Sequence, residues 1–444
     1  MPGTDKQPSS PLRRSSLHRL GDDGKAWIGV AEDLKFGHAS IVCAFEFAKR
    51  HLTLFPCKLS TIFDMDTSEL RAWLRLLRTD GVGAESARRL LACFGNAPAV
   101  FEQPHSVLCQ VVSARQAQAL SQEPPELPAQ LALTLHWLDR NPQHRIWTLG
   151  DATYPAALLD LPDPPLMLYA QGRVDALQPI PPCVAIVGSR NPTHQGEQTA
   201  RHMAHALASS GLCVVSGLAL GVDGAAHWGA LDMLDRQMAS DACVTVAVVG
   251  TGLDRVYPRQ HQELAKRIAT HGVLLSEYPL GTPPLAANFP RRNRLIAALG
   301  LGTLVVEAAL HSGSLITAQL ALDIGRDVFA IPGSIHAPQS HGCHALIRQG
   351  AKLVEKAQDV LEELHLPPLH PMQASLHAPL TARVSPPPAE QVTLLDLMGY
   401  GPVSLDALIA RSGLDAASLQ ADLLTLELSG HIGRLPGGLF QRSG

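Results

Sequence analysis

Glycine, serine and arginine recur in this chain in groupings able to hold an anion. Gly188-Ser189-Arg190 follows a short apolar run, as do Ser216-Gly217 and Gly250-x-Gly252, the last leading on to Tyr257 and Arg259. Phe289-Pro290-Arg291-Arg292-Asn293-Arg294 is aromatic and basic together, and Ser312-Gly313-Ser314 opens a helix-like segment. Glycine lets backbone approach a ligand closely, and the free N–H groups of a helix start favour negative charge. Arginine forks onto phosphate oxygens and also stacks on bases. Arg190, Arg259, Arg291, Arg292 and Arg294 are therefore expected to form one basic rim over backbone donors, with Phe289 and Tyr257 as stacking surfaces. The chemistry is the grip of a phosphate backbone. On composition, the 291–294 cluster also reads as a helix start whose charges are solvated or salt-bridged.

Two other tenants suit the same mouth less well. The dinucleotide fingerprint is absent, because Arg255 stands where the third glycine after Gly250-x-Gly252 belongs, and no Walker A sequence occurs. Phosphoribohydrolases that cleave nucleotides carry a Pro-Gly-Gly-x-Gly-Thr loop and a nearby glutamate. The nearest match, Ser312-Gly313-Ser314, lacks the glycine pair and the acid. Asp223 and His227, four apart on one helix face, suit an acid–base pair or a metal, and equally a structural pair packing the helix on the sheet edge. Glu277 and Glu307 each end a strand, where they can tie down loop N–H groups. No convincing nucleophile accompanies them, so no catalytic residue, cofactor or metal is assigned. The eight cysteines are scattered without a Cys-x-x-Cys pair, which argues against a disulfide framework and a structural zinc site.

The elements that must position these groups alternate between strand and helix. Apolar runs at 184–187, 213–215, 245–249, 273–275, 303–306 and 328–331 are separated by helix-length segments at 195–210, 221–235, 259–271, 313–325 and 341–350. Strands apolar on both faces with helical crossovers predict an α/β fold, a Rossmann-like doubly wound parallel sheet, whose ligands lie beyond the strands' carboxyl ends. Residues 65–150 read as a small helical domain of helix-hairpin-helix or SAM-like type. Its Gly81-Val82-Gly83 turn is either a phosphate-facing hairpin or a tight helix connection. The Rossmann-like domain is expected over 151–365 with its core at 180–365, followed by a Pro-rich linker at 366–388 and a winged helix at 389–444. The would-be recognition helix, 416–428, carries Asp422 and Glu427 without lysine or arginine, which fits a protein contact better than a sequence reader. Residues 1–64 read as an atypical extension of a protein that usually begins near Met65, or as a loosely folded arm.

A hydrophobic fraction of 46% over 444 residues supports packed cores in several domains. Net charge is −4, and the 180–365 region holds 14 basic and 15 acidic residues, so indiscriminate coating of duplex is disfavoured and a local basic pocket is the form left open. No apolar run reaches the roughly 18–20 residues of a membrane span and no signal-peptide pattern opens the chain, so the expected compartment is the cytoplasm, without a membrane partner.

Taken in order, several motifs closely resemble the DprA/Smf family of bacterial DNA-processing proteins. They are Gly188-Ser189-Arg190, Ser216-Gly217-Leu218-Ala219 through Asp223 and Ala226-His227, Gly252-Leu253-Asp254 with Tyr257-Pro258, Ser276-Glu277, Phe289 to Arg294, Ser312 to Ala318, Gly325-Arg326, Pro332-Gly333 and Leu346-Ile347 with Gly350-Ala351. The resemblance implies a Rossmann-like domain that binds single-stranded DNA and recruits RecA onto it in natural transformation. It also implies a homodimer and no catalytic turnover. The family's strand-binding basic residues after the first and third strands map to Arg190 and Arg259, the latter an arginine where lysine is common. One departure is Ser340-His341-Gly342-Cys343-His344, in place of the more frequent Thr-Asn after the glycine; it is expected to alter packing alone.

Overall fold

Leu70, Trp73, Leu74 and Leu77 recur at helical spacing and line the inner side of α1 (Thr67–Arg78). The computed structural model describes residues 66–177, 180–234, 243–366, 389–399, 401–435 and 437–442; expectations placed on 1–64 and on the linker beyond 366 fall outside them. Five more helices complete the N-terminal layer: α2 (Ala84–Phe94), α3 (Ala97–Phe101), α4 (His105–Val111), α5 (Ala114–Leu120) and α6 (Leu127–Arg140). The α1–α2 turn closes with Val82 N–H donating to the Thr79 carbonyl. Gln116, in the capping box of α5, donates to the Gly81 carbonyl at 2.8 Å and fixes the turn from outside.

Two antiparallel strands follow, β1 (His144–Thr148) and β2 (Met167–Gly172), with β2 pairing β6 (Val273–Ser276). The sheet thus reaches back past the expected boundary at 151. These strands mix His, Arg, Thr and Gln with apolar residues, so they lack the unbroken apolar run of the central strands. The parallel part contains β3 (Cys183–Val187), β4 (Cys213–Ser216), β5 (Thr245–Val248), β6, β7 (Gly302–Val305), β8 (Asp327–Ala330) and the two-residue β9 (Lys352–Leu353). Its order is β6-β5-β4-β3-β7-β8-β9, and the six expected strands coincide with those observed to within one residue at each end.

Alternate residues of a central strand enter different cores, which explains the continuous apolar runs. Val184 and Ile186 of β3 face one core, beneath α7 (His194–Ser209), α8 (Val222–Asp232), α9 (Gln262–His271) and a later helix, Ala357–Glu363. Cys183, Ala185 and Val187 face the other, covered by α10 (Asn288–Leu299), α11 (Gly313–Asp323) and α12 (His341–Arg348). The fold is a doubly wound Rossmann-like sheet.

After α13 (Ala357–Glu363), the C-terminal part holds α14 (Ala389–Met398), β10 (Val403–Ser404), α15 (Leu405–Ser412), α16 (Ala416–Leu428), β11 (Ile432–Leu435) and β12 (Leu439–Arg442), with strand order β10-β12-β11. Leu395, Leu408, Leu419, Leu423, Leu426 and Phe440 make its core, and Ser404 and Asp415 cap α15 and α16. This is a winged helix. No helix among the described residues is long and apolar enough to cross a membrane.

Candidate nucleic-acid interface

A doubly wound sheet opens a crevice where successive crossovers leave for opposite faces, here between β3, followed by α7, and β7, followed by α11. Glu307 latches this crevice. One carboxylate oxygen accepts from Thr193 N–H at 2.9 Å and the other from the Thr193 hydroxyl at 2.6 Å. Burial raises the Glu307 pKa, and the two Thr193 bonds oppose that rise. Gly188 sits in the same junction, where a Cβ would lie 2.7 Å from a Val222 methyl and 3.0 Å from the Glu307 carbonyl. Ser189 is similarly occupied: its hydroxyl accepts from Asn191 N–H and its carbonyl from Val222 N–H. The glycine and serine therefore pack the β3 loop against α8.

The next loops are organised by Arg292, and here the expected rim needs correction. Arg292 is 3% exposed, and its Nη1 donates to the carbonyls of Gly217 (2.5 Å) and Val248. Burial pushes its pKa down to about 10, opposed by the neighbouring Asp223 carboxylate. Asp223 accepts from the N–H groups of Gly217 (3.1 Å) and Ala219 (3.3 Å); burial raises its pKa against the pull of Arg292. A guanidinium committed to carbonyls inside the protein is not a rim group. Arg294 is removed from the rim as well, because it pairs with Glu277 and, at 3.2 Å, with Asp163, leaving its side chain 14% exposed. Ser216 is fully buried, its hydroxyl donating to the Ile186 carbonyl at 2.7 Å, and Gly217, Gly250 and Gly252 are buried too. Ser314 is buried with its hydroxyl 2.7 Å from that of Ser312, which caps α11; Gly313 at the helix start is exposed. Asn293 bridges Arg292 Nε and the Gly313 carbonyl.

Arg190, Arg259 and Arg291 remain exposed, and none forms an ion pair among the described residues. Arg190 lies 5.8 Å from the centroid of the Phe289 ring, and Tyr257 and Phe289 sit 5.5 Å apart at an interplanar angle of 36°. Tyr257 is 47% exposed. The loops after β3 and β5 and the first turn of α10 therefore converge on one platform of two aromatic rings and a guanidinium, with Arg259 two residues beyond Tyr257.

Asn288 escaped the sequence reading. It is buried, and its side-chain amide donates to the Gly250 carbonyl at 3.0 Å, while the Tyr278 hydroxyl donates to the Asn288 carbonyl. These bonds fix Phe289 against the β5 loop. Its one legible signal was a polar residue directly before the Phe-Pro pair that opens the helix. Asp223 and His227 make no bond to each other among the described contacts. His227 Nδ1 bonds the Thr245 hydroxyl at 2.7 Å, so their helical spacing serves two separate structural roles.

Three family descriptions match this chain in order: a DprA-like N-terminal HHH domain over 67–106, DNA recombination-mediator protein A over 145–365, and a DprA winged helix domain over 378–438. Protein Smf of Escherichia coli strain K12 is 39% identical over 375 residues, which cover 82% of this chain and 94% of that protein. The chain belongs to the DprA/Smf family. DNA processing protein DprA of Streptococcus pneumoniae strain R6 is 46% identical over 217 residues, 49% of this chain and 73% of that one. The X-ray structure of S. pneumoniae DprA superposes with a TM-score of 0.54 at 35% identity, covering 68% of this chain and 99% of that one. The three family matches fall on the α1–α2 hairpin, the doubly wound sheet and the winged helix.

Proposed function

We propose that this DprA/Smf chain binds single-stranded DNA at the mouth formed by Arg190, Tyr257, Arg259, Phe289 and Arg291. The observation that carries the reading is the pairing of exposed Tyr257 with half-buried Phe289, flanked by Arg190. Aromatic faces accept any base, and unpaired arginines accept phosphates, so such a platform favours single strands over duplex with little sequence preference. Fluorescence anisotropy on a labelled oligonucleotide across a salt series tests it. Arg190→Ala with Arg259→Ala should weaken binding and reduce the salt slope by about 1.4, at about 0.7 per phosphate neutralised. Unchanged affinity in the double variant would remove the assignment.

The bound strand is handed to RecA, and the chain acts without chemical turnover. For the first statement, the match to DNA recombination-mediator protein A over 145–365 supports a role in recombination, for which transfer of the strand to RecA is our reading. The second is supported by the engagement of the carboxylates near the mouth: Asp223 by backbone N–H groups, Glu277 by Arg294, and Glu307 by Thr193. RecA filament growth on strands pre-coated with single-strand-binding protein should accelerate when the chain is added. A base-release assay on nucleoside monophosphates should stay at background.

The working unit is a homodimer joined at the β9 edge of the sheet. Ile335 (72%), Leu310 (53%) and Leu353 (50%) are exposed there, beside a groove of about 530 Å³ that also includes Pro332 and Ile347. Exposed apolar side chains on the short edge strand and on the loops after β7 and β8 suit pairing with a second copy. Two mouths per dimer would hold separate strands.

A further inference from the structure

A cavity of about 750 Å³ is lined by Val256 and Arg259, which flank Tyr257 of the aromatic platform in the chain. One wall is a single face of α9, where Gln262, Lys266 and Thr270 recur every four residues. The opposite wall comes from the antiparallel extension that the sequence did not reveal: Gln171 of β2, which pairs with Leu274, and Gln143, whose carbonyl accepts from Gly172 N–H. Val249, Leu218 and Leu274 make an apolar floor.

The charges facing the cavity are uneven. Arg259 and Lys266 both line it, and the acid among the lining residues, Asp254, is occupied by Arg255 at 3.0 Å and by the Gly281 N–H at 2.8 Å. Lys266 touches Glu263 at 3.6 Å, with both side chains about two-thirds exposed, a contact too solvated to hold it. The cleft thus offers cations at its mouth and along one side, carboxamides on both walls, and an apolar base. Carboxamides present a paired donor and acceptor that match base edges, and an apolar floor takes the base faces. From Arg259 the helical wall runs roughly 15 Å at 1.5 Å per residue, room for more than one nucleotide.

We propose that this cleft continues the single-strand track beyond Arg259, seating a further segment of the strand with its phosphates on Lys266 and its bases between the Gln171 and Gln262 sides. The inference rests on single-strand binding at the aromatic platform, and Arg259 is the group the two share.

The test compares thymidine oligomers of about six and about twenty nucleotides, lengths that bracket one site and an extended track. Lys266→Ala with Gln262→Ala, both exposed positions on α9, should weaken binding of the long oligomer about tenfold and of the short one less than about twofold. Arg190→Ala should weaken both lengths alike. Equal binding of the α9 double variant and the unaltered chain at both lengths overturns the track, and so does an equal loss at both lengths, which would place Lys266 in the platform site. Thymidine monophosphate bound in a Lys266-dependent way without any length effect overturns it too, by making the cleft a site for free nucleotide. Unchanged binding of Arg190→Ala at both lengths instead removes the platform reading, and that outcome is separate from the α9 result.

Discussion

The guanidinium of Arg292 fills the space that a side chain at Gly217 would need: a Cβ there would lie 2.6 Å from Nη1 and 2.7 Å from Cζ. Glycine at 217 and arginine at 292 are thus one structural unit that ties the β4 loop to α10. Arg292→Ala would strip Asp223 of its buried counter-charge and leave the Gly217 and Val248 carbonyls without their donor. A loss of about 3 kcal/mol is expected in denaturant unfolding. Arg190→Ala, at an exposed position, should stay within about 0.5 kcal/mol while weakening DNA binding.

Tyr257→Ala and Phe289→Ala separate stacking from charge. Each should weaken single-strand affinity by about 1–3 kcal/mol and leave the salt slope unchanged, because no phosphate contact is lost. Titrations at two salt concentrations, with oligomers of different base composition, read both quantities. A changed slope in Tyr257→Ala would place that residue outside a stacking role.

His227 gives the fold a defined acid sensitivity. The Thr245 hydroxyl donates to the Val214 carbonyl, so His227 Nδ1 must be the donor to Thr245, and its buried Nε2 has no hydrogen-bond partner. Burial holds the folded-state pKa down at about 3, against 6.5 for a free histidine. Below pH 6.5 the unfolded chain takes up a proton that the folded chain refuses. Stability from this residue therefore falls by about 1.4 kcal/mol per pH unit as pH drops from 6.5 toward 3. His227→Gln lacks that proton uptake, so the gap between the two proteins in thermal unfolding should narrow steadily as pH is lowered. A constant gap between pH 7 and 4 would contradict the buried neutral imidazole.

The apolar β9 edge gives a prediction about assembly. Ile335→Glu with Leu353→Glu should convert a dimer to a monomer in light scattering, with little change in unfolding of the monomer, since both side chains are at least half exposed in the single chain. A monomeric unaltered chain would refute the proposed interface.

The sequence by itself determined the parallel strands, their crossovers and the loops that carry chemistry, because a strand buried on both faces must be apolar throughout and a crossover helix must repeat at its own period. Arg190 and Tyr257 follow two of those strands in the chain and lie on exposed loops. It did not determine which arginines meet solvent. Arg291, Arg292 and Arg294 lie within one turn of α10, where successive residues project about 100° apart. One therefore faces water, one the Gly217 and Val248 carbonyls, and one Glu277. Those partners lie in β5 or just after β4 and β6, 17 to 75 residues away in the chain, and only the folded sheet brings them to α10. The same holds for the cleft wall supplied by β2, whose mixed composition becomes meaningful once it pairs with β6.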